Sequence, residues 1–262
     1  MRLHLFEFTD QPWYPQVFRR IQTDYLQFVT TRGSGHQNLI PLFEKALRRS
    51  KTVEIVDLCS GGSGPWLRLA EKLRMAGMPV KITLTDKFPS SDAVQKCARE
   101  SNGNIVYIKE PVDAMNVPTQ LRGMRTMFEG FHHFLPEQAR LILYDACEQR
   151  VAIGIFEASL PLPQAPLIFV LSPLMTLLGY LFSTPFIRPF TWSRLLWTYL
   201  LPVVPLATCW EGLVSFLRVY TEKELRVLIS QLTDDDYRWE IGKVSTGTAL
   251  FEFTYLLGYP VE

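Results

Sequence analysis

The β-branched run Val53-Glu-Ile-Val-Asp57 ends at an acid and passes directly into Leu-Cys-Ser-Gly-Gly-Ser-Gly64. From Trp66 to Ala76, apolar residues then fall at helical spacing (Leu67, Leu69, Ala70, Leu73). A strand, a glycine-rich turn and a helix in so short a stretch leave few folds open. Glycines let the backbone pass where any Cβ would collide with a ligand, and the helix aims its free N–H groups at the same place. A bare βα turn uses the same residues, so the turn alone does not establish a ligand.

The rest of the chain repeats the alternation. Strands are expected at Val80 to Thr85, Asn104 to Ile108, Gly123 to Glu129 and Val151 to Phe156. Helices are expected at Ser91 to Glu100 and Pro136 to Gln149, and near the start of the chain at Pro15 to Val29 and Gln37 to Arg49. Thr221 and Glu224 form a capping box for a helix reaching about Leu232. Two strands, Tyr237 to Val244 and Ala249 to Leu257, are joined by the short turn Ser245 to Thr248. Such alternation predicts an α/β fold: a doubly wound, seven-stranded, mostly parallel sheet with an antiparallel C-terminal hairpin strand, N-terminal helices and an apolar helical insert.

Two more acids end strands. Asp86 follows the second strand, where a nucleoside-binding doubly wound fold places its ribose-binding acid. Asp113 follows the third, where an acid can accept from an adenine amino group. With Asp57, three successive strands end in acids. A nicotinamide site would need glycine or alanine where Leu67 stands, and a nucleoside-triphosphate site would need Gly-Lys-Ser/Thr where Gly64-Pro65-Trp66 stands.

On these residues the chain resembles the class I S-adenosylmethionine-dependent methyltransferases. Asp57-Leu-Cys-Ser-Gly-Gly-Ser-Gly64 is similar to that family's first motif, with Cys59 where the pattern has its first glycine. The resemblance implies S-adenosylmethionine as cofactor. It implies that Gly61, Gly62 and Gly64 line its methionyl part, Asp86 binds its ribose and Asp113 its adenine end, with Asp57, Ser60 and Ala114 also among the cofactor-binding residues. Phe128 to Phe134 resembles the segment that faces the methyl group, which makes His132, His133 and Glu129 the candidate catalytic groups. An ordinary histidine titrates near neutrality and can take a proton from an acceptor. Glu157, at the end of the fifth strand, faces the same edge, and Trp13, Tyr14 and Tyr25 are candidates to line the acceptor site. Each aromatic equally suits a packing role.

Composition isolates one segment. From Ala158 to Leu217 the only charges are Arg188, Arg194 and Glu211, among eight prolines and three tryptophans. The prolines predict several short helices over the carboxyl ends of the strands rather than one long one. The segment reads as a lid, a dimer core or a membrane-interface element, and it points to a small hydrophobic acceptor such as a lipid, quinone precursor or polyketide. The expected divisions are 1–50 (helical cap), 51–157 (cofactor-binding core), 158–217 (apolar insert) and 218–262 (completion of the core). Twenty-seven basic against 26 acidic residues give no charge excess for a nucleic-acid partner. Four cysteines without a CxxC pair speak against a disulfide scaffold or a zinc site and for a cytoplasmic protein, with peripheral membrane contact or a homodimer through 158–217 as the alternatives for the insert. The activity expected is methyl transfer. The alternative is a non-catalytic, membrane-associated or dimerising protein that keeps the fold. The acceptor atom stays open between O, N and C.

Overall fold

The computed structural model describes residues 2–33, 35–101, 103–161, 165–232, 234–248 and 250–261. The strands are β1 (Glu54–Leu58), β2 (Lys81–Leu84), β3 (Ile105–Tyr107), β4 (Met124–Phe128), β5 (Ile153–Ser159), β6 (Tyr237–Ser245) and β7 (Glu252–Pro260). They form one sheet in the order β3-β2-β1-β4-β5-β7-β6. β7 runs antiparallel to both of its neighbours, and the other pairings are parallel. The order reverses between β1 and β4, so the carboxyl ends of these two strands border the crevice where doubly wound sheets take ligands.

The helices are α1 (Gln16–Arg32), α2 (Ile40–Arg49), α3 (Trp66–Met75), α4 (Ser91–Glu100), α5 (Pro136–Glu148), α6 (Ala165–Ser183), α7 (Trp192–Leu195), α8 (Val203–Arg218) and α9 (Glu222–Ile229). Alternate strand residues face opposite layers. Ile55, Ile82, Met124 and Phe156 meet α2, α3 and α4 through Phe43, Trp66, Leu69 and Cys97. Val56, Met127, Ile153 and Ile155 meet α5 and α9 through Ile142, Leu143, Leu225 and Leu228. The α9 capping box forms: the Glu224 N–H donates to Thr221 Oγ1, and the Thr221 N–H donates to Glu224 Oε2.

Two expectations need correction. The insert is not a set of short helices, because α6 runs 19 residues through Pro173 and α8 runs 16. Pro173 has no N–H for the Phe169 carbonyl, but the Ser172 hydroxyl donates to that carbonyl at 2.9 Å and removes the deficit. The β6–β7 connection is also longer than the expected four-residue turn. Ser245 pairs with Glu252, which leaves residues 246–251 as the loop, with 249 outside the described residues. Two of the insert's charges turn inward. Arg194 is buried, pairs with Asp24 of α1 and donates to the Ile187 and Pro189 carbonyls, while Glu211 accepts from Gln22 and the Thr9 N–H.

Candidate functional site

The turn after β1 is wound in left-handed backbone. Cys59, Gly61, Ser63 and Gly64 all have positive φ, at 57°, 49°, 88° and 49°. Such a conformation favours glycine, and Cys59 and Ser63 adopt it as non-glycine residues. Beside Gly61 and Gly64 nothing lies within 4 Å of where a Cβ would project, so the turn presents open backbone on its outer side. Asp57 is not on that side. Its buried carboxylate accepts from Ser60 Oγ at 2.6 Å and from Thr126 Oγ1 at 2.6 Å. Asp57 and Ser60 therefore shape the turn from within. Burial pushes the Asp57 carboxyl up to about 6, against the pull of these hydrogen bonds.

Asp86 closes the turn from the second strand. Its Oδ2 accepts the Gly61 N–H at 2.9 Å and its Oδ1 accepts the Phe88 N–H at 2.8 Å. Each oxygen keeps further acceptor capacity for ligand hydroxyls. The Tyr107 hydroxyl holds the Gly61 carbonyl at 2.8 Å. Asp113 already has partners on both oxygens, the Lys87 ammonium at 2.8 Å and the Met115 N–H at 3.0 Å. Despite partial burial these hold its carboxyl below the usual range. Ala114 is buried beside it. Burial pushes the Cys59 thiol well up, and the charges of Asp86, Asp57, Asp113 and Glu157 add to the push.

The chain leaving β4 completes the crevice. Gly130 packs so closely on Cys59 that a Cβ there would lie 3.1 Å from the Cys59 Cβ. Glu129, just before it, has a left-handed φ of 50° and an exposed side chain. Desolvation there, with the charge of Glu157, pushes its carboxyl up to about 7. Glu157 organises the next turn: its Oε1 accepts the Phe131 N–H at 2.6 Å, and its Oε2 lies 2.6 Å from His132 Nδ1. His132 is only 5% exposed. Burial works against its charged form, but Glu157 and then Glu7 prevail and raise its pKa.

Residues near the start of the chain cover this turn. Arg2 donates to the His132 and Phe134 carbonyls, Glu7 lies 3.2 Å from His133 Nδ1, and Asp10 lies 2.9 Å from it. Arg218, from the end of α8, reaches Asp10 at 2.6 Å and Glu7 at 3.3 Å. Glu7, His132 and His133 offer ligand atoms within 4.8 Å of one another, an arrangement the cysteine count gave no hint of. The Arg218 guanidinium supplies positive charge inside that cluster, which makes it an ion-pair network. Both histidines are thus engaged by protein carboxylates. Of the three candidate catalytic groups, Glu129 is the most exposed.

The expected acceptor aromatics are placed otherwise. Tyr25 is buried and stacks on Tyr180 of α6 with ring centroids 3.9 Å apart. Tyr14 is buried and stacks on Phe8, and Trp13 lies 65% exposed against both. These rings pack the early chain together and against the insert. The face of α1 that meets the glycine-rich turn is polar. Gln27 Nε2 donates to the Gly64 carbonyl at 3.1 Å, and a Cβ on Gly62 would lie 2.9 Å from Thr23 Cγ2. Gly62 therefore makes room for α1.

No family model matches the chain, and no curated protein matches it. Solved structures share its fold. Human N-acetylserotonin methyltransferase in complex with SAM is 15% identical, with a TM-score of 0.50 over 94% of this chain and 56% of that one. TnmH is 16% identical (TM-score 0.53, 97% of this chain, 60% of that one), and LaPhzM is 15% identical (0.51, 97% and 60%). The chain spans less than two thirds of the length of each.

Proposed function

On a chain with the fold of the class I S-adenosylmethionine-dependent methyltransferases, we propose an enzyme that transfers a methyl group from S-adenosylmethionine to a small hydrophobic acceptor. The observation that carries this reading is the open left-handed turn at Gly61 and Gly64, closed by Asp86 and lying against the β4 exit that bears Glu129. The chemistry of these groups fits the cofactor. Exposed backbone suits the methionyl portion, Asp86 keeps lone pairs for ribose hydroxyls, and Asp113 offers an acceptor near the adenine end. Bound there, the cofactor supplies an electrophilic methyl group. The protein's share is alignment and, for a hydroxyl or amine acceptor, removal of a proton. Glu129, titrating near 7, accepts that proton. Glu157 holds the turn through Phe131 and His132, and α1 anchors the glycine-rich turn through Gln27. The uncharged α6 and the first turns of α8 support a hydrophobic acceptor.

Calorimetric titration with S-adenosylhomocysteine tests the reading. Micromolar affinity is expected, and Asp86→Ala should weaken it by about 1.5–3 kcal/mol, the scale of losing a charged hydrogen-bond partner. A folded wild-type protein that binds neither S-adenosylhomocysteine nor S-adenosylmethionine at millimolar concentration overturns it.

A further inference from the structure

The helices α6 and α8 pack side by side as a hairpin rooted in the sheet. Its tip is the segment from Thr184 to Leu201. Along α6, Leu167, Val170, Leu174, Leu178 and Phe182 recur at three- and four-residue spacing, and all are more than two-fifths exposed. The stripe continues onto the tip through Phe186, Trp192 and Leu200, which are 67%, 78% and 74% exposed. Residues Ala165–Phe186 have a mean hydropathy of 1.9 with 17% of the window buried. Monomeric proteins rarely leave such a continuous apolar face in water.

We propose that this hairpin face docks on the surface of a lipid bilayer, with the Phe186, Trp192 and Leu200 side chains of the tip in the acyl region and the Arg188 guanidinium reaching back to the headgroups. Charge selects this occupant. Arg194 is spent on Asp24, and Glu211 on Gln22 and Thr9. Arg188 is therefore the one exposed charge among the described residues from Ala165 to Leu217, and no exposed carboxylate accompanies it. An apolar face with Trp192, Tyr199 and one cation complements an anionic headgroup layer. A second copy related by a two-fold axis would set the face against itself and bring two Arg188 guanidiniums into a seam without a carboxylate. A groove of about 430 Å³ on the tip, lined by Trp192, Ser193, Leu195, Leu196, Tyr199 and Leu200, has the size and lining for part of an acyl chain. Topology fixes the mode of contact. Both roots of the hairpin return to one sheet, and α8 meets the Trp192–Leu200 segment at a 74° bend, so the tip dips into one leaflet.

The docking goes beyond the methyl-transfer reading and does not depend on it. The test is co-sedimentation of the detergent-free protein with phosphatidylcholine vesicles and with vesicles that also contain phosphatidylglycerol. Binding is expected to both, at least fivefold tighter to the anionic ones. The double substitution Trp192→Ser, Leu200→Ser should weaken binding at least tenfold, and Arg188→Glu should abolish the preference for anionic vesicles. All three positions are exposed, so circular dichroism and S-adenosylhomocysteine affinity should stay as in the wild type. Wild-type protein that remains in the supernatant with both vesicle types overturns the proposal. So does a stable dimer that the same double substitution dissociates while vesicle binding is absent.

Discussion

Glu129 carries a long side chain on left-handed backbone, with Gly130 next in the chain. Such a conformation costs a non-glycine residue about 1–3 kcal/mol, and it persists where the side chain has a use. Glu129→Gly should therefore raise stability to denaturant by about 1 kcal/mol while lowering turnover on an accepted substrate by about 10²-fold or more. An unchanged turnover would remove Glu129 from the chemistry. Because its carboxyl is pushed up to about 7, it becomes a competent base as pH rises through that value. The profile of kcat/KM should show this ascending limb, and Glu129→Gln should erase it. The sequence marked Glu129 only as one of three candidates. Nothing local could show that His132 is buried beside Glu157, or that His133 is gripped by Glu7 and Asp10 from more than 120 residues away.

At the scale of elements, α1 works on two faces. Gln27 ties it to the glycine-rich turn, and Tyr25 ties it to α6 through Tyr180. The two contacts should separate on substitution. Gln27→Ala should weaken cofactor binding by about 1 kcal/mol with little change in stability. Tyr25→Ala should cost about 3 kcal/mol of stability in denaturant titrations and leave cofactor affinity nearly unchanged. Equal effects of both on both readouts would mean that α1 moves as one unit. The core elements were legible because their apolar periods are read within one segment: α4 lies where its spacing put it, and β1, β2 and α5 lie within a residue or two. The insert was less legible. Helix continuity at Pro173 depends on the hydroxyl of Ser172, a compensation that proline placement does not reveal. The aromatic residues Tyr14 and Tyr25 suit pocket and packing equally by type, and only tertiary partners decide between them.

In the whole molecule, His36 and Asp57 set opposing pH dependences. His36 lies between Phe128 and Phe253, and burial pushes its pKa down to about 4. The folded state resists protonating it, so its contribution to stability is complete above about pH 6.5 and is lost as pH falls toward 4. Asp57 has the reverse sign: its raised pKa makes the fold less stable as pH rises from about 4 to 6. These two contributions oppose each other across this range. Relative to the wild type, His36→Gln should gain up to about 3 kcal/mol between pH 6.5 and 4, measured by thermal unfolding. A constant difference across that range would place His36 in a more polar setting. The same region bears on how the molecule is made. β7 lies between β5 and β6, so β6 leaves the ribosome before it has a neighbour to join. Until Glu252–Pro260 emerges, the edge of β5 stays open and β6 has nowhere to attach. A nascent chain stopped short of β7 loses two strands of the sheet, and protein quality control would meet it as an unpaired β edge beside an uncovered apolar hairpin.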